Sequence, residues 1–404
     1  MTNIEFFIQN SFNNYEELLN YYILNICVDL MKEDPELIKS ITNKIRLAIQ
    51  KYAEINSEVY TNENVKIYTR DNLSNKDIWF CKNIDQNMVI NQHTSGSTTG
   101  NPFNYYSHKK YFDFIQRNSE FDLILKEYEL YQKPLKILNL FKHPYNPKPT
   151  DFILETHNYS RRKFHNYGAK DVVTFFVNWD EYIENSEKWH NQFLEFLSNH
   201  YFDIVLCSGP VINILTRHIK KNNFNHKFAY LLSHTTEFPR IGDFKYLKNN
   251  GNIDYYCDHM RCWDGGASFF TCKFGTYHLN DNLAWVTQGP DNKMISTDYF
   301  NIVAPFVNYW NGDLCEIKDE YQLCECGRWY RPFKMLQNRP FALKGPTKLT
   351  TIREKISTLE FKSSIDQVQF ENLTANVYLN NKLDDGRINK LKEILNDYEV
   401  KIYE

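Results

Sequence analysis

The chain has 404 residues, enough for two or three domains at roughly 150 residues each, and it can bury about three quarters of its unfolded surface without disulfides. Lys plus Arg number 47 and Asp plus Glu 50, a net charge of −3 that argues against a general polyanion binder and so against nucleic acid as a partner. With 42% hydrophobic and 24% charged residues, the composition is globular and not disordered.

The first stretch, MTNIEFFIQNSFNNYEELL, has no basic leader, apolar core or small-residue cleavage site. The longest apolar runs, around Val172–Trp179 and Phe228–Leu232, fall far short of the roughly 20 residues that span a bilayer. A soluble, cytoplasmic protein with no membrane partner is the expectation. Residues 1–60 are predicted to be helical: Tyr15–Met31 is apolar-rich, and Pro35–Ile55 carries Leu37, Ile41, Ile45, Leu47 and Ile49 at near-helical spacing. Val65–Asn91 is turn-rich, broken at Asp71-Asn72 and Ser74-Asn75. From 110 to 240, helical stretches (Tyr111–Tyr131, Asp180–Leu197) alternate with short apolar runs (Leu135–Phe141, Val172–Val177, Ile204–Cys207, Phe228–Leu232). That is the pattern of an α/β layer whose strands are buried on both faces. From 253 to 336 the segments shorten and Cys, Gly and Trp concentrate, as in β-rich structure. Beyond Asn338, two strands (Val368–Phe370, Ala375–Leu379), a helix (Arg387–Tyr398) and a last strand (Val400–Tyr403) are predicted to form a small β-β-α-β unit. The nine cysteines are odd in number and irregular in spacing, so they are read as reduced thiols, some buried and some open to a metal.

Only 14 glycines occur, about half the usual frequency of about 7%. Two of them fall in Thr94-Ser95-Gly96-Ser97-Thr98-Thr99-Gly100-Asn101-Pro102, together with five hydroxyls within seven residues. Glycines let backbone N–H groups converge on a phosphate, and hydroxyls add donors without bulk. No Gly-Lys-Ser/Thr ends the loop, so it is not a Walker A motif. Composition alone also fits a flexible linker; the proline at its exit and the apolar segments on both sides favour an ordered loop.

The loop resembles the Thr-Ser-Gly-Ser-Thr/Thr-Gly-x-Pro loop of the adenylate-forming superfamily, in particular its phenylacetate–coenzyme A ligase-like branch. Further motifs follow in the family's order, and the resemblance spans about residues 65–404. It implies an α/β chain with a large nucleotide-binding domain over 1–338 and a small α+β C-terminal domain over 339–404. The large domain would contain layered sheets and helices, a helical segment over about 1–60 and a zinc-containing β-rich part over about 253–336. By the resemblance, Thr94, Ser95, Gly96, Ser97, Thr98, Thr99 and Gly100 hold the β and γ phosphates of ATP. Asn308-Tyr309-Trp310-Asn311-Gly312-Asp313 resembles the Arg-Tyr-x-x-Gly-Asp element, placing Tyr309 at the nucleotide and the Asp313 carboxylate on both ribose hydroxyls, with Asn308 where the family has a cation. Thr236-Glu237 occupies the place of the adenine-contacting segment. Cys262-Trp263-Asp264-Gly265-Gly266 resembles the Tyr-Gly-x-Thr-Glu motif, with Asp264 where the family has the acid associated with Mg²⁺; a plain Asp-Gly turn is the alternative. Arg339, in Asn338-Arg339-Pro340, sits at the domain junction and would contact ribose or phosphate, while Phe341 and Ala342 follow in place of the hinge Asp. No terminal loop carrying the catalytic Lys of many relatives is recognisable, with Lys344 and Lys401 as the candidate substitutes.

Cys272-x5-His278 and Cys324-x-Cys326-Gly327 supply three sulfurs and one imidazole, a set suited to a closed, tetrahedral, structural Zn²⁺. The spacing matches no common zinc finger, although a subset of the same branch carries a similar arrangement. Cys257, Cys262 and Cys315 are rival ligands, and buried free thiols are the alternative. The expected activity is ATP- and Mg²⁺-dependent conversion of a small carboxylic acid to an acyl-adenylate, followed by transfer to a thiol, coenzyme A among them, or to an amine. The alternative is a catalytically reduced nucleotide- or partner-binding protein that keeps the fold and the zinc.

Overall fold

The computed structural model describes residues 2–335 and 356–403, apart from 28, 62–65, 83, 94–102, 118–119, 131–134, 143–153, 156–168, 178–190, 192, 208, 235–240, 263, 357–358, 362–363, 372–373, 380 and 397. No helix among these residues is long and apolar enough to cross a membrane. Two compact units are present. The first takes its residues from Met1–Gly96, Asn101–Tyr128 and His259–Gln337, and the second chiefly from Glu129–Asp258 and Asn338–Glu404.

The first unit opens with helices α1 (Asn3–Gln9), α2 (Tyr15–Asn25) and α3 (Pro35–Asn56). The Asp34 side chain caps α3 by accepting from the Glu36 N–H at 2.9 Å, and Pro35 fits the first helical turn, where its missing N–H costs nothing. Ile38, Ile41, Ile45, Ile49 and Ala53 recur every three or four residues and are buried. Leu47, expected on that face, is 56% exposed, because two residues past Ile45 turn the helix through about 200°. The tyrosines of α2 lock onto late chain: Tyr15 Oη donates to the Tyr299 carbonyl at 2.6 Å and Tyr22 Oη to the Asn282 carbonyl at 2.9 Å. A short helix α4 (Lys76–Trp79) anchors the Trp79 indole N–H on the Pro305 carbonyl at 2.9 Å. Strands β1 (Val89–His93) and β2 (Asn104–His108) pair as an antiparallel hairpin. Where one helix was expected over Tyr111–Tyr131, two occur, α5 (Lys109–Arg117) and α6 (Glu120–Glu127).

The second unit is an α/β layer. Strands β3 (Leu135–Lys142), β4 (Leu154–Glu155), β5 (Ala169–Val177), β6 (Phe202–Cys207), β7 (Ala229–His234) and β8 (Ile253–Arg261) lie in the order β8-β7-β6-β3-β5-β4. All neighbours are parallel except β4 with β5. Helices α7 (Gly209–Lys221) and α8 (Ile241–Asn249) form the crossovers β6–α7–β7 and β7–α8–β8. The last three residues of β8, His259–Arg261, belong to the first unit, where the chain continues in antiparallel strands.

Those strands are β9 (Ser268–Thr271), β10 (Tyr277–Leu279), β11 (Ala284–Gln288), β12 (Lys293–Asp298), β13 (Tyr309–Ile317), β14 (Gln322–Leu323), β15 (Trp329–Tyr330) and β16 (Phe333–Met335). They form the sheet β11-β12-β13-β16, the hairpin β14-β15, and a ribbon of the end of β8 with β9 and β10. The C-terminal segment is the expected β-β-α-β: β17 (Ile365–Glu371) antiparallel to β18 (Thr374–Leu379), then α9 (Asp385–Ile394) crossing to β19 (Glu399–Tyr403), which is parallel to β18. Its Val368, Val377 and Leu391 share one core with Val205, Ile212 and Leu232 of the second unit.

Candidate functional site

The centre of the first unit is built around β13. Tyr68 bridges onto this strand: its N–H donates to the Asn308 carbonyl at 3.0 Å, and its carbonyl accepts from the Trp310 N–H at 2.8 Å. That bridge carries Arg70 to Asp264. Arg70 donates through Nη2 at 2.8 Å and Nε at 3.2 Å to Asp264 Oδ2, and Tyr309 Oη donates to the same oxygen at 3.2 Å. The arginine and aspartate side chains are 19% and 9% exposed, so water screens the pair poorly. Burial alone would lower the Arg70 pKa, but Asp264 and Tyr309 outweigh it and raise it. Burial, then the Asp264 carboxylate, push the Tyr309 phenol up, so it stays a donor.

Asp313 is 2% exposed. Ile295 pairs with Trp310 and Lys293 with Leu314, so three residues, Asn311–Asp313, stand opposite the single residue Met294. Such a bulge re-aims side chains next to functional sites, and Gly312, at φ +100°, allows it. Cys262 Sγ lies 3.7 Å from Asp313 Oδ2, and the Trp310 indole N–H donates to the Asp313 carbonyl at 2.9 Å. Asn308, at φ +48°, occupies the left-handed region that asparagine tolerates better than most residues.

Gly265, at φ +99°, lets the Asp264 turn fit. A Cβ there would lie 2.6 Å from Ser296 Oγ and 2.8 Å from Tyr309 Cδ1. Gly265→Ala is therefore expected to destabilise the protein by about 2–4 kcal/mol, the left-handed strain plus the overlap. Denaturant titration checks it, and a loss under about 1 kcal/mol would show that the turn yields without strain.

The hydroxyl-rich loop Thr94–Gly100 lies outside the described residues, as do Thr236, Glu237 and Arg339. The ends of the loop segment are placed. His93 pairs with Asn104 at the tip of the β1–β2 hairpin, so the segment leaves and returns at one point. The Phe103 ring, just past Pro102, lies 5.5 Å from the Arg70 guanidinium, and Tyr105 senses Asp264, Asp298 and Arg261 electrostatically. Arg70 was not singled out from the sequence; the one hint was that Asn308 left a buried acid without its usual cation.

Cys272, His278, Cys324 and Cys326 converge, with all four ligand atoms within 4.8 Å of one another. Cys272 Sγ and Cys324 Sγ are 3.7 Å apart, and Cys326 Sγ is 3.5 Å from His278 Nε2. A tetrahedral zinc with ordinary bond lengths sets edges of roughly 3.8 Å between sulfurs and roughly 3.5 Å between sulfur and nitrogen, so the donors fit that ion. Cys257, Cys262 and Cys315 do not join the cluster. Two matching turns present the thiols: the Gly275 N–H donates to the Cys272 carbonyl at 2.8 Å and the Gly327 N–H to the Cys324 carbonyl at 2.9 Å, both glycines having positive φ. Contact with Cys272, then His278, lowers the Cys326 pKa, so the pair shares its proton with the thiolate on Cys326. Arg328, next to the second turn and 2% exposed, donates through Nη1 to Glu127 at 2.5 Å and pairs with Asp29 at 3.3 Å.

No protein-family model and no curated protein matches the sequence. Solved structures do. The chain is similar to 2-hydroxyisobutyryl-CoA ligase in complex with 2-HIB-AMP and CoA in the thioesterification state, with a TM-score of 0.55 and 10% identity over 92% of this chain and 87% of that one. The open conformation of that ligase with 2-HIB-AMP and CoA gives 0.53 and 10%, over 89% and 91%. Its postadenylation state with R3-HIB-AMP gives 0.54 and 10%, over 91% and 86%. The chain has the mixed α/β fold of the adenylate-forming CoA ligases.

Proposed function

We propose that the chain uses ATP to activate a small carboxylic acid. A carboxylate oxygen attacks the α-phosphorus, the bond to the bridging oxygen of the β-phosphate breaks, and pyrophosphate leaves. A thiol such as coenzyme A, or an amine, then attacks the acyl carbon and AMP leaves. The observation that carries this reading is the convergence on β13 of Asp313, held in a bulge, with the Arg70–Asp264–Tyr309 network beside the base of the hydroxyl loop. In this reading Asp313 accepts from the ribose hydroxyls, the 94–100 loop holds the β and γ phosphates, and Thr236, Glu237 and Arg339 complete the nucleotide contacts. Arg70 supplies the positive charge absent at Asn308. Positioning and electrostatics at the phosphates supply most of the rate. Mg²⁺, when bound, would neutralise phosphate charge, with Asp264 holding it through Oδ1, because Oδ2 is committed to Arg70 and Tyr309.

The test is exchange of labelled pyrophosphate into ATP across a panel of acids, alongside calorimetric ATP binding. Asp313→Ala is expected to weaken ATP binding about 10–100-fold, the loss of hydrogen bonds to a charged acceptor. Unchanged ATP affinity in that variant would remove Asp313 from the nucleotide site. The Arg70–Asp264 pair also supports a second reading, a catalytically reduced nucleotide-binding protein, because it occupies the acid that would serve the metal. ATP binding without exchange for any acid decides for that reading.

We assign the Cys272–His278–Cys324–Cys326 cluster a structural Zn²⁺. Four protein ligands leave no open position, so its role is to hold the two turns together.

A further inference from the structure

The β8–β9–β10 ribbon places three rows of directly opposed residues side by side. They are His259–Phe270–His278, Met260–Phe269–Leu279 and, through the Asn280 N–H on the Ser268 carbonyl at 2.9 Å, Arg261–Ser268–Asn280. Opposed residues share a face, and successive rows alternate between faces. The Met260 row is therefore one apolar face. The other two rows form the opposite face, which is polar apart from Phe270; the Phe270 and His278 rings stack on it at 5.5 Å.

A polar sheet face ordinarily meets water, yet Ser268 and Asn280 are each 1% exposed. Ser268 Oγ and both amide atoms of Asn280, Oδ1 and Nδ2, have no hydrogen-bond partner among the described residues. Native interiors rarely leave such groups unsatisfied, and three in adjacent positions need an explanation. Arg261, at the other end of the row, interacts electrostatically with Asp298 and Tyr105, and Tyr105 in turn with Asp264. The row thus runs from the orphaned amide towards the Asp264 network.

We propose that Arg261, Ser268 and Asn280 form the binding site for a small hydroxy acid. The guanidinium matches the carboxylate. The Asn280 amide presents a donor and an acceptor together, which one hydroxyl can satisfy by accepting from Nδ2 and donating to Oδ1, and Ser268 Oγ joins the same group. Strands about 4.8 Å apart make the row roughly 10 Å wide, which suits a short acid. This names the substrate class for the acid-activation reading and rests on that reading only for the fate of the bound acid.

The experiment is calorimetry on the full chain without ATP, comparing lactate with propionate and 3- and 4-hydroxybutyrate with butyrate. At least one hydroxy acid is expected to bind tenfold or more tightly than its deoxy partner. Asn280→Leu is expected to abolish that difference, keep the zinc, and raise the melting temperature of the ligand-free protein, since two orphaned atoms give way to methyls of similar volume. Ser268→Ala, a smaller change, should reduce the discrimination in part. Equal binding within every pair overturns the proposal. So does a lower ligand-free melting temperature in Asn280→Leu, which would mean ordered water satisfies the row. Loss of zinc in that variant also overturns it, assigning Asn280 to the support of His278, whose Nδ1 likewise lacks a partner. Discrimination without any ATP binding would sink the acid-activation reading and leave the site standing. Exchange activity indifferent to Asn280→Leu would do the reverse.

Discussion

Cys324→Ser/Cys326→Ser is expected to purify without the one equivalent of zinc that the unaltered chain carries, and to melt at a temperature at least about 10 °C lower. Two thiolates are half of the ligand set, and structural zinc sites are worth about 10–16 kcal/mol in small domains. That exceeds the whole stability of many domains, about 5–15 kcal/mol. The expected damage is centred on the β14–β15 hairpin, whose strands are two residues each and whose turn is closed by the Cys324–Arg328 backbone pair. Elemental analysis and thermal melting check this. Full zinc in the double variant would place the ligands elsewhere, and a zinc-free protein with an unshifted melt would make the ion dispensable to the fold.

Arg70→Ala is expected to cost about 3–5 kcal/mol, because it strands the Asp264 carboxylate in a site that water hardly reaches. At about 2–4 °C for each kcal/mol in a unit of this size, the melt falls by roughly 6–20 °C. Removing both charges in Arg70→Ala/Asp264→Ala is expected to cost less than the sum of the single changes, since the second deletion relieves the stranded charge. Additive losses would mean that the two side chains do not act as a pair in solution. ATP binding in the same variants separates architecture from function: a folded Arg70→Ala that binds ATP normally would remove Arg70 from the nucleotide site.

Long periodic segments were legible in the sequence because their signals are local. The isoleucines of α3, the short apolar strands β3, β6 and β7, and the C-terminal β-β-α-β each declare themselves within about ten residues. Leu47 misled because near-helical spacing does not fix which of two overlapping stripes faces inward. The four zinc-ligand candidates were readable for a different reason, since few other arrangements explain a Cys, a His and a Cys-x-Cys in one β-rich stretch, and their atoms do converge. Arg70 was not readable: its partner is 194 residues away and it arrives through a backbone bridge that leaves no pattern. The Arg261–Ser268–Asn280 row was equally hidden, because register across three strands, and not spacing along one, brings it together.

Arg328 closes its contacts across 299 residues to Asp29 and 201 to Glu127. On a ribosome moving at about 5–20 residues per second, Asp29 is made roughly 15–60 s before its guanidinium exists. Until then two acids destined for the interior stand without their counter-ion. The N-terminal helices therefore reach their final seating late in synthesis, and the closing of the cysteine turns beside Arg328 is a step in maturation that follows nearly the whole of translation.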